Sequence, residues 1–326
     1  MSTVVRMSAE WEPHKAMWLA MPHDEEEWGD YFDAAKRSVR QLADALVGSE
    51  SVQLLVRNKV EGLDPNITQH RADYGDIWLR DTGPVFVWQN QSLEAVTFSF
   101  NGWGGKYVFE HDAHVATTVA ALAGVPTRTS SLVVEGGALE SNGSGTILST
   151  RQCLLNRNRN PGLSEVEVEA ALAEALGCRK VIWLDRGIAV DHTDGHVDNL
   201  ARFVSETAVL CMTPSEKSDP NGEVLSEIEA VLRRSQTADG CALEVHCIPS
   251  PGSIEGPQGL MAASYCNFLI ANECVVVPTF GVPSDEEALQ TIAEFFPSRR
   301  IVPLDAFALL TGGGTVHCIS LQEPHE

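Results

Sequence analysis

Hydrophobic positions along the chain alternate between two periods. In DYFDAAKRSVRQLADALVG (30–48) apolar residues recur at helical spacing and the run ends at glycine, which predicts an amphipathic helix. SEVEVEAALAEALG (164–177) offers Ser164 as N-cap, glutamates in the first turn and Gly177 as the stop. SDEEALQTIAEFFP (284–297) repeats that grammar with Ser284 as the cap, and HVATTVAALAG (114–124) and GEVLSEIEAVLRR (222–234) are two further helices. Between them lie short β-rich runs: VQLLVR (52–57), TILST (146–150), KVIWL (180–184), TAVLCM (207–212), ALEVHCI (242–248) and ECVVVPTF (273–280). Short strands mixed with about five helices predict an α/β fold. No Pro/Ser-rich linker divides the chain, so a single domain over 1–326 is expected. Strong sequence repeats are absent, although the strand–strand–helix order comes round several times.

Composition narrows the class. Of 326 residues, 44% are hydrophobic and 21% charged, as in folded globular proteins. No run of 18 apolar residues occurs, so no membrane helix is expected. MSTVVRMSAEWEPH lacks the basic and apolar regions of a secretory signal, so the expected location is the cytoplasm. The formal charge of −22 makes nucleic acid a poor partner and mildly favours a cationic small molecule. The eight cysteines form no C-x-x-C pair, and reduced, mostly structural thiols are expected.

Four glycine-punctuated segments embed charged or reactive residues in apolar sequence. YGDIWLRDTGPVFV (74–87) carries Asp76, Trp78, Arg80 and Asp81. LVVEGGALESNGSGTILST (132–150) carries Glu135, VDHTDGHVDNLARFV (190–204) carries His196 and Asp198, and GGGTVHCISLQ (312–322) carries Cys318. Each residue alone has a bland account: a turn former, a strand end, a structural histidine, a buried thiol. Together they form a set. A thiol titrating near ~8.5 needs help to attack, a histidine can shuttle protons, and a carboxylate can orient it. Two further carboxylates are compatible only if they share a cation, and a planar guanidinium fits them bidentately. The set therefore suits attack on a guanidinium carbon. The spacings Asp81–Glu135 (54), Glu135–His196 (61) and His196–Cys318 (122) suggest five modules of about 65 residues, each sending a strand end to one centre. The module around 257–280 then supplies walls rather than reagents. GGGTVHCISLQ reads as a glycine-led final strand, which turns His317 away from the site. A rival uses His192 and His196, at H-x3-H, as zinc ligands; the Thr-Asp-Gly between them is poor helix sequence, and a chelator would separate the two chemistries. A triad protease is weaker, for want of a G-x-S-x-G elbow.

W-L-R-D-T-G-P (78–84), E-G-G (135–137), T-D-G-H-V-D (193–198) and G-G-G-T-V-H-C-I (312–319) closely resemble the agmatine deiminase and bacterial peptidylarginine deiminase family. W-E-P-H (11–14), N-G-W-G-G-K-Y (101–107) and L-L-N-R-N-R-N-P-G-L-S (154–164) extend the resemblance from Trp11 to Pro324. It implies a five-bladed α/β propeller (the pentein fold) with fivefold pseudosymmetry, and hydrolysis of a guanidine to a urea and ammonia without metal or organic cofactor. Agmatine, giving N-carbamoylputrescine, is the first expected substrate; free arginine, peptidylarginine or a small alkylguanidine are alternatives. By motif, Cys318 is the nucleophile, His196 the general acid and then base, and Glu135 its supporting carboxylate. Asp81 and Asp198 grip the guanidinium, and Trp78, Trp103, Gly313 and Gly314 shape the substrate pocket. A homo-oligomer such as a dimer is compatible with the sequence. Ala138-Leu139-Glu140-Ser141-Asn142-Gly143, His192 and Gly102 depart from the usual family pattern, which bears on the far end of the pocket. A silent relative that only binds guanidines has no need of the thiol.

Overall fold

In the computed structural model, which describes residues 4–325, one connection is repeated five times. An antiparallel strand pair is followed by a helix and then by a third strand, parallel to the second. The clearest unit pairs Glu140–Ser141 with Thr146–Thr150, continues through the helix Glu165–Leu176, and adds Lys180–Leu184 parallel to Thr146–Thr150. The next pairs Ala201–Phe203 with Ala208–Thr213, crosses by Gly222–Arg233 and returns as Glu244–Pro249. Leu269–Ile270, Cys274–Thr279, the helix Ser284–Phe295 and Arg300–Asp305 make another. Val85–Gln89, Ser92–Ser99, the helix Asp112–Ala123 and Thr127–Val133 make the fourth, with Val5–Met7 added at its edge. The fifth joins the two ends of the chain: Leu321–Pro324 pairs with His14–Ala20, the helix Phe32–Leu46 follows, and Ser51–Val56 and Ile67–Arg71 extend the sheet. A helical crossover is what a parallel third strand requires, so the alternation of periods in the sequence maps directly onto this topology.

The helices bury one face each, and some lie between neighbouring units: Phe32–Leu46 touches His14–Ala20 of its own sheet and Arg300–Asp305 of another, and Glu165–Leu176 touches Thr127–Val133. The buried residues are Val39, Leu42 and Leu46 in Phe32–Leu46, Val168 and Leu172 in Glu165–Leu176, and Leu225, Ile228 and Leu232 in Gly222–Arg233. Ser164 caps its helix in a full capping box with Glu167, and Gly177 ends it in the left-handed conformation, as the sequence predicts. Ser284 differs: Pro283 occupies the cap position and Ser284 is the first helical residue, its hydroxyl hydrogen-bonded to the Tyr265 hydroxyl at 3.0 Å. Asp285 instead ties the preceding turn, accepting the N–H of Gly281 at 2.8 Å. Among the described residues no helix is long and apolar enough to cross a membrane.

The units place their special residues at one recurring position, the few residues before the first strand. Asp81 precedes Val85, Glu135 precedes Glu140, His196 and Asp198 precede Ala201, Asn267 precedes Leu269, and Cys318 precedes Leu321. The final segment corrects the expectation of a glycine-led strand, because only Leu321–Pro324 is extended. Residues 315–320 form turns, with the Ile319 N–H donating to the Thr315 carbonyl at 3.3 Å and the Ser320 N–H to that of His317 at 3.1 Å. Neighbours in such a turn need not point to opposite faces, and that changes the role of His317.

Candidate active site

Cys318, Asp81, Trp78, Trp103, Gly313 and Gly314 line one cavity of about 170 Å³. His196, Glu135 and Asp198 adjoin these residues without lining the cavity, all essentially buried. Cys318 Sγ is 3.9 Å from Asp198 Oδ2 and 3.3 Å from Asn267 Oδ1. The His196 ring nitrogens lie 3.6 Å from Asp81 Oδ1 and 3.5 Å from Glu135 Oε2. Among the described residues neither nitrogen meets a hydrogen-bond partner, and Asp198 Oδ1 also lacks one. Buried polar atoms are normally satisfied, so this concentration of orphans marks a place prepared for a polar ligand.

The local chain path explains the close approach. Glycine is required at position 137, where a Cβ would stand 2.7 Å from His196 Nδ1 and 2.8 Å from Asp81 Oδ1. Its N–H donates to Asp81 Oδ1 at 3.0 Å. At 314 a Cβ would press within 2.7 Å of Trp78 Cζ3 and 3.1 Å of Cys318 Sγ. Trp103 has φ 51°, a left-handed conformation unusual for a bulky side chain, and its indole N–H donates to Asp81 Oδ2 at 2.8 Å. Trp78 stacks on Trp28 with centroids 5.9 Å apart, and both indoles donate to Asp76, at 2.6 Å and 3.2 Å. Burial between those rings pushes the Asp76 carboxyl up to about 6.

Electrostatics set the resting protonation. Burial, then Asp198 and Asp81, hold the Cys318 thiol well above its ordinary value, so the resting group is S–H. Burial lowers the affinity of His196 for its proton, yet Asp81, Cys153 and Glu135 outweigh it, and the imidazole stays protonated well above its usual range. Burial would raise Glu135, but His196 and Arg159 bring it below the ordinary carboxylate value. Asp198 is likewise lowered, burial being overcome by His317 and then His196. Asp81 is raised, by burial first and by Asp198 and Glu135, against the pull of His196.

Four participants escaped the sequence reading. Arg159 is fully buried and its Nε reaches both Glu135 oxygens, at 2.9 Å and 2.8 Å; its signal was the N-R-N-R-N-P run. Cys153 places a second thiol 3.9 Å from Glu135 Oε2. His317, expected to face away, donates or accepts at Asp198 Oδ2 (2.8 Å) through Nδ1 and at Glu10 Oε2 (2.7 Å) through Nε2. Asn267 adds to the walls expected of residues 257–280 a hold on the turn that carries Cys318. Its Oδ1 accepts from Thr315 Oγ1 at 2.6 Å and from the N–H groups of His317 and Cys318 at 3.2 Å and 3.4 Å.

The rival zinc pair comes apart. His192 is exposed at the cavity mouth, stacked on Tyr107 with centroids 5.7 Å apart, and Thr193–Gly195 between it and His196 is non-helical. A different trio, Glu135, Cys153 and His196, has ligand atoms within 4.8 Å of one another. The Arg159 guanidinium already occupies both oxygens of that carboxylate, which opposes a second cation there.

Known proteins are similar to this chain in sequence and fold. Residues 6–324 match the model of the Porphyromonas-type peptidyl-arginine deiminase family. An agmatine deiminase from Stutzerimonas stutzeri is 37% identical over 351 residues, covering 98% of this chain and 95% of its own. The solved agmatine deiminase of Enterococcus faecalis superposes with a TM-score of 0.93 at 31% identity, covering 98% of this chain and 96% of that one. A cysteine-to-serine variant of the C. jejuni agmatine deiminase with substrate bound gives a TM-score of 0.93 at 25% identity over 100% of this chain and 98% of that one. At the level of fold alone, DDAH from Pseudomonas aeruginosa is similar at a TM-score of 0.54 and 13% identity, over 95% of this chain and 99% of its own.

Proposed function

The chain belongs to the Porphyromonas-type peptidyl-arginine deiminase family, and on that premise we propose that it is an agmatine deiminase, hydrolysing agmatine to N-carbamoylputrescine and ammonia. The observation that carries the reading is the group of Cys318 and Asp81 lining one indole-lined cavity, with Asp198, His196 and Glu135 buried next to them and orphan atoms on His196 and Asp198. A guanidinium entering there meets two carboxylates in reach of its N–H groups and a sulfur beside them. Trp78 and Trp103 offer faces to the methylene chain and to the cation. The five repeated units support one five-bladed propeller domain around this site, with the segment before each first strand directed to the centre.

The chemistry follows from the charges. At rest two carboxylates and burial keep the thiol protonated. The incoming cation reverses that field, and Cys318 gives up its proton to solvent as the guanidinium settles between Asp81 and Asp198. The thiolate forms a bond to the guanidine carbon. His196, already protonated, gives its proton to one nitrogen as the C–N bond breaks and ammonia leaves. The resulting S-alkylthiouronium is attacked by water, one of whose protons passes to the now neutral His196; the C–S bond then breaks, the remaining hydroxyl proton returns to the Cys318 sulfur, and the urea is released. Glu135, anchored by Arg159, holds His196 and favours its cationic form. Ammonia release with agmatine, arginine and a peptidylarginine tests the reading. Agmatine is expected to give the highest kcat/KM with N-carbamoylputrescine as product, and release from none of the three would overturn it.

A further inference from the structure

We propose that Asn267, contributed by the unit that begins with Leu269–Ile270, is the residue that positions the nucleophile, and that its side chain is an amide so that the thiol gains an anchor without gaining a third negative neighbour. The proposal rests on the guanidine-hydrolase reading of the same pocket. Asn267 stands just before the first strand of its unit, the position that carries Asp81, Glu135, Asp198 and Cys318 in the other four. It is 1% exposed. Its single carboxamide oxygen gathers the Thr315 hydroxyl and the N–H groups of His317 and Cys318, and lies 3.3 Å from Cys318 Sγ. The His317 N–H also reaches the Asn267 backbone carbonyl at 3.3 Å. One residue therefore pins the whole turn that presents the sulfur. Three donors on one oxygen also fix which end of the amide faces the loop.

The other end supplies a second observation. Asn267 Nδ2 has no partner among the described residues, although it is buried. A group that only needed to accept could be a carboxylate, which would leave no donor stranded. The carboxylate is what this location cannot hold: Asp198 and Asp81 already oppose ionisation of Cys318, and a third charge 3.3 Å from the sulfur, closer than the 3.9 Å of Asp198, would oppose it further. The amide keeps the acceptor and avoids the charge.

Two variants separate anchor from charge. Asn267→Asp keeps the shape and adds the charge. Alkylation of Cys318 by iodoacetamide, followed against pH, is expected to slow at neutral pH about tenfold for each unit by which the thiol pKa rises, and to converge with the unsubstituted chain at high pH. Asn267→Ser keeps neutrality and loses the reach; its kcat is expected to fall at least tenfold, with KM changed less than about twofold, because the loop moves while the guanidinium clamp stays. An alkylation profile for Asn267→Asp that superimposes on that of the unsubstituted chain, or a wild-type kcat for Asn267→Ser, overturns the proposal. Alkylation needs no agmatine, so a chain that shows the shift yet turns over no guanidine sinks the functional reading and leaves the role of Asn267 standing.

Discussion

Two buried clusters of charge lie side by side in this molecule and are built on opposite rules. In one, Arg202 is enclosed by Glu140 at 2.9 Å and Glu10 at 2.8 Å, its guanidinium 4.8 Å from the Phe268 ring centroid, with its third nitrogen on the backbone carbonyls of Cys266 and Phe268. Glu10 and Glu140 also accept the N–H groups of Ile270 and Phe203. Arg80 adds a second cation, 3.6 Å from Glu10. Charges there are matched nearly atom for atom. In the other, Asp81, Asp198 and Glu135 face Arg159 and His196, and three atoms of His196 and Asp198 have no partner. In the first cluster two carboxylates meet two guanidinium groups, and Arg80 Nη2 is its one atom without a hydrogen-bond partner among the described residues; in the second the carboxylates outnumber the cations, which leaves charge for one more. Burial alone therefore does not distinguish structure from function here, whereas the balance of charge does. His317 joins the two, with one nitrogen on Glu10 and the other on Asp198.

The comparison can be broken at several points. Cys318→Ser is expected to abolish turnover while leaving the thermal midpoint within a few degrees of the unsubstituted value, since only the thiolate chemistry is removed. Asp198→Asn comes next: losing a charge-assisted clamp worth roughly 1.5–3 kcal/mol should lower kcat/KM about 10–100-fold, through a higher KM and a lower kcat. A wild-type value would place Asp198 outside the pocket. The sealed cluster should respond in stability instead. Arg202→Met strands Glu10 and Glu140 and is expected to cost about 3–5 kcal/mol in denaturant unfolding, whereas Asp81→Asn relieves crowding and is expected to hold or raise stability. Equal losses from both would erase the distinction between the clusters. His317→Gln should have the smallest effect, a several-fold rise in KM with little change in the unfolding midpoint, because Asp198 keeps its place in the backbone but loses its fixed orientation.

The sequence marked a candidate set more clearly than its arrangement. Asp81, Glu135, His196, Asp198 and Cys318 stand out as reactive residues against glycine and apolar sequence, and the structure brings them together. The five helices were legible from periodicity, within a few residues at each end. His317 was misread because a run that looks like a strand is held as a turn by Asn267, a contact 50 residues away that no local pattern encodes. Asn267 itself, in A-S-Y-C-N-F, has no local mark of function; only the recurrence of its position across the five units sets it apart. Arg159 was quoted for its motif without a role, which depends on Glu135 lying 24 residues earlier and on the far side of a strand pair.

The resting protonation gives a further, milder test. Burial and the two aspartates raise the Cys318 thiol, so its alkylation rate in the ligand-free protein should climb with pH beyond the ordinary thiol range. A rate already flat at neutral pH would mean a preformed thiolate.

The most direct measurement is the intact mass of the protein quenched with acid during turnover of agmatine. The account predicts a covalent adduct equal to agmatine less ammonia, mapped by digestion to the peptide carrying Cys318 and absent in Cys318→Ser. Ammonia release without such an adduct, or an adduct on another residue, would contradict it.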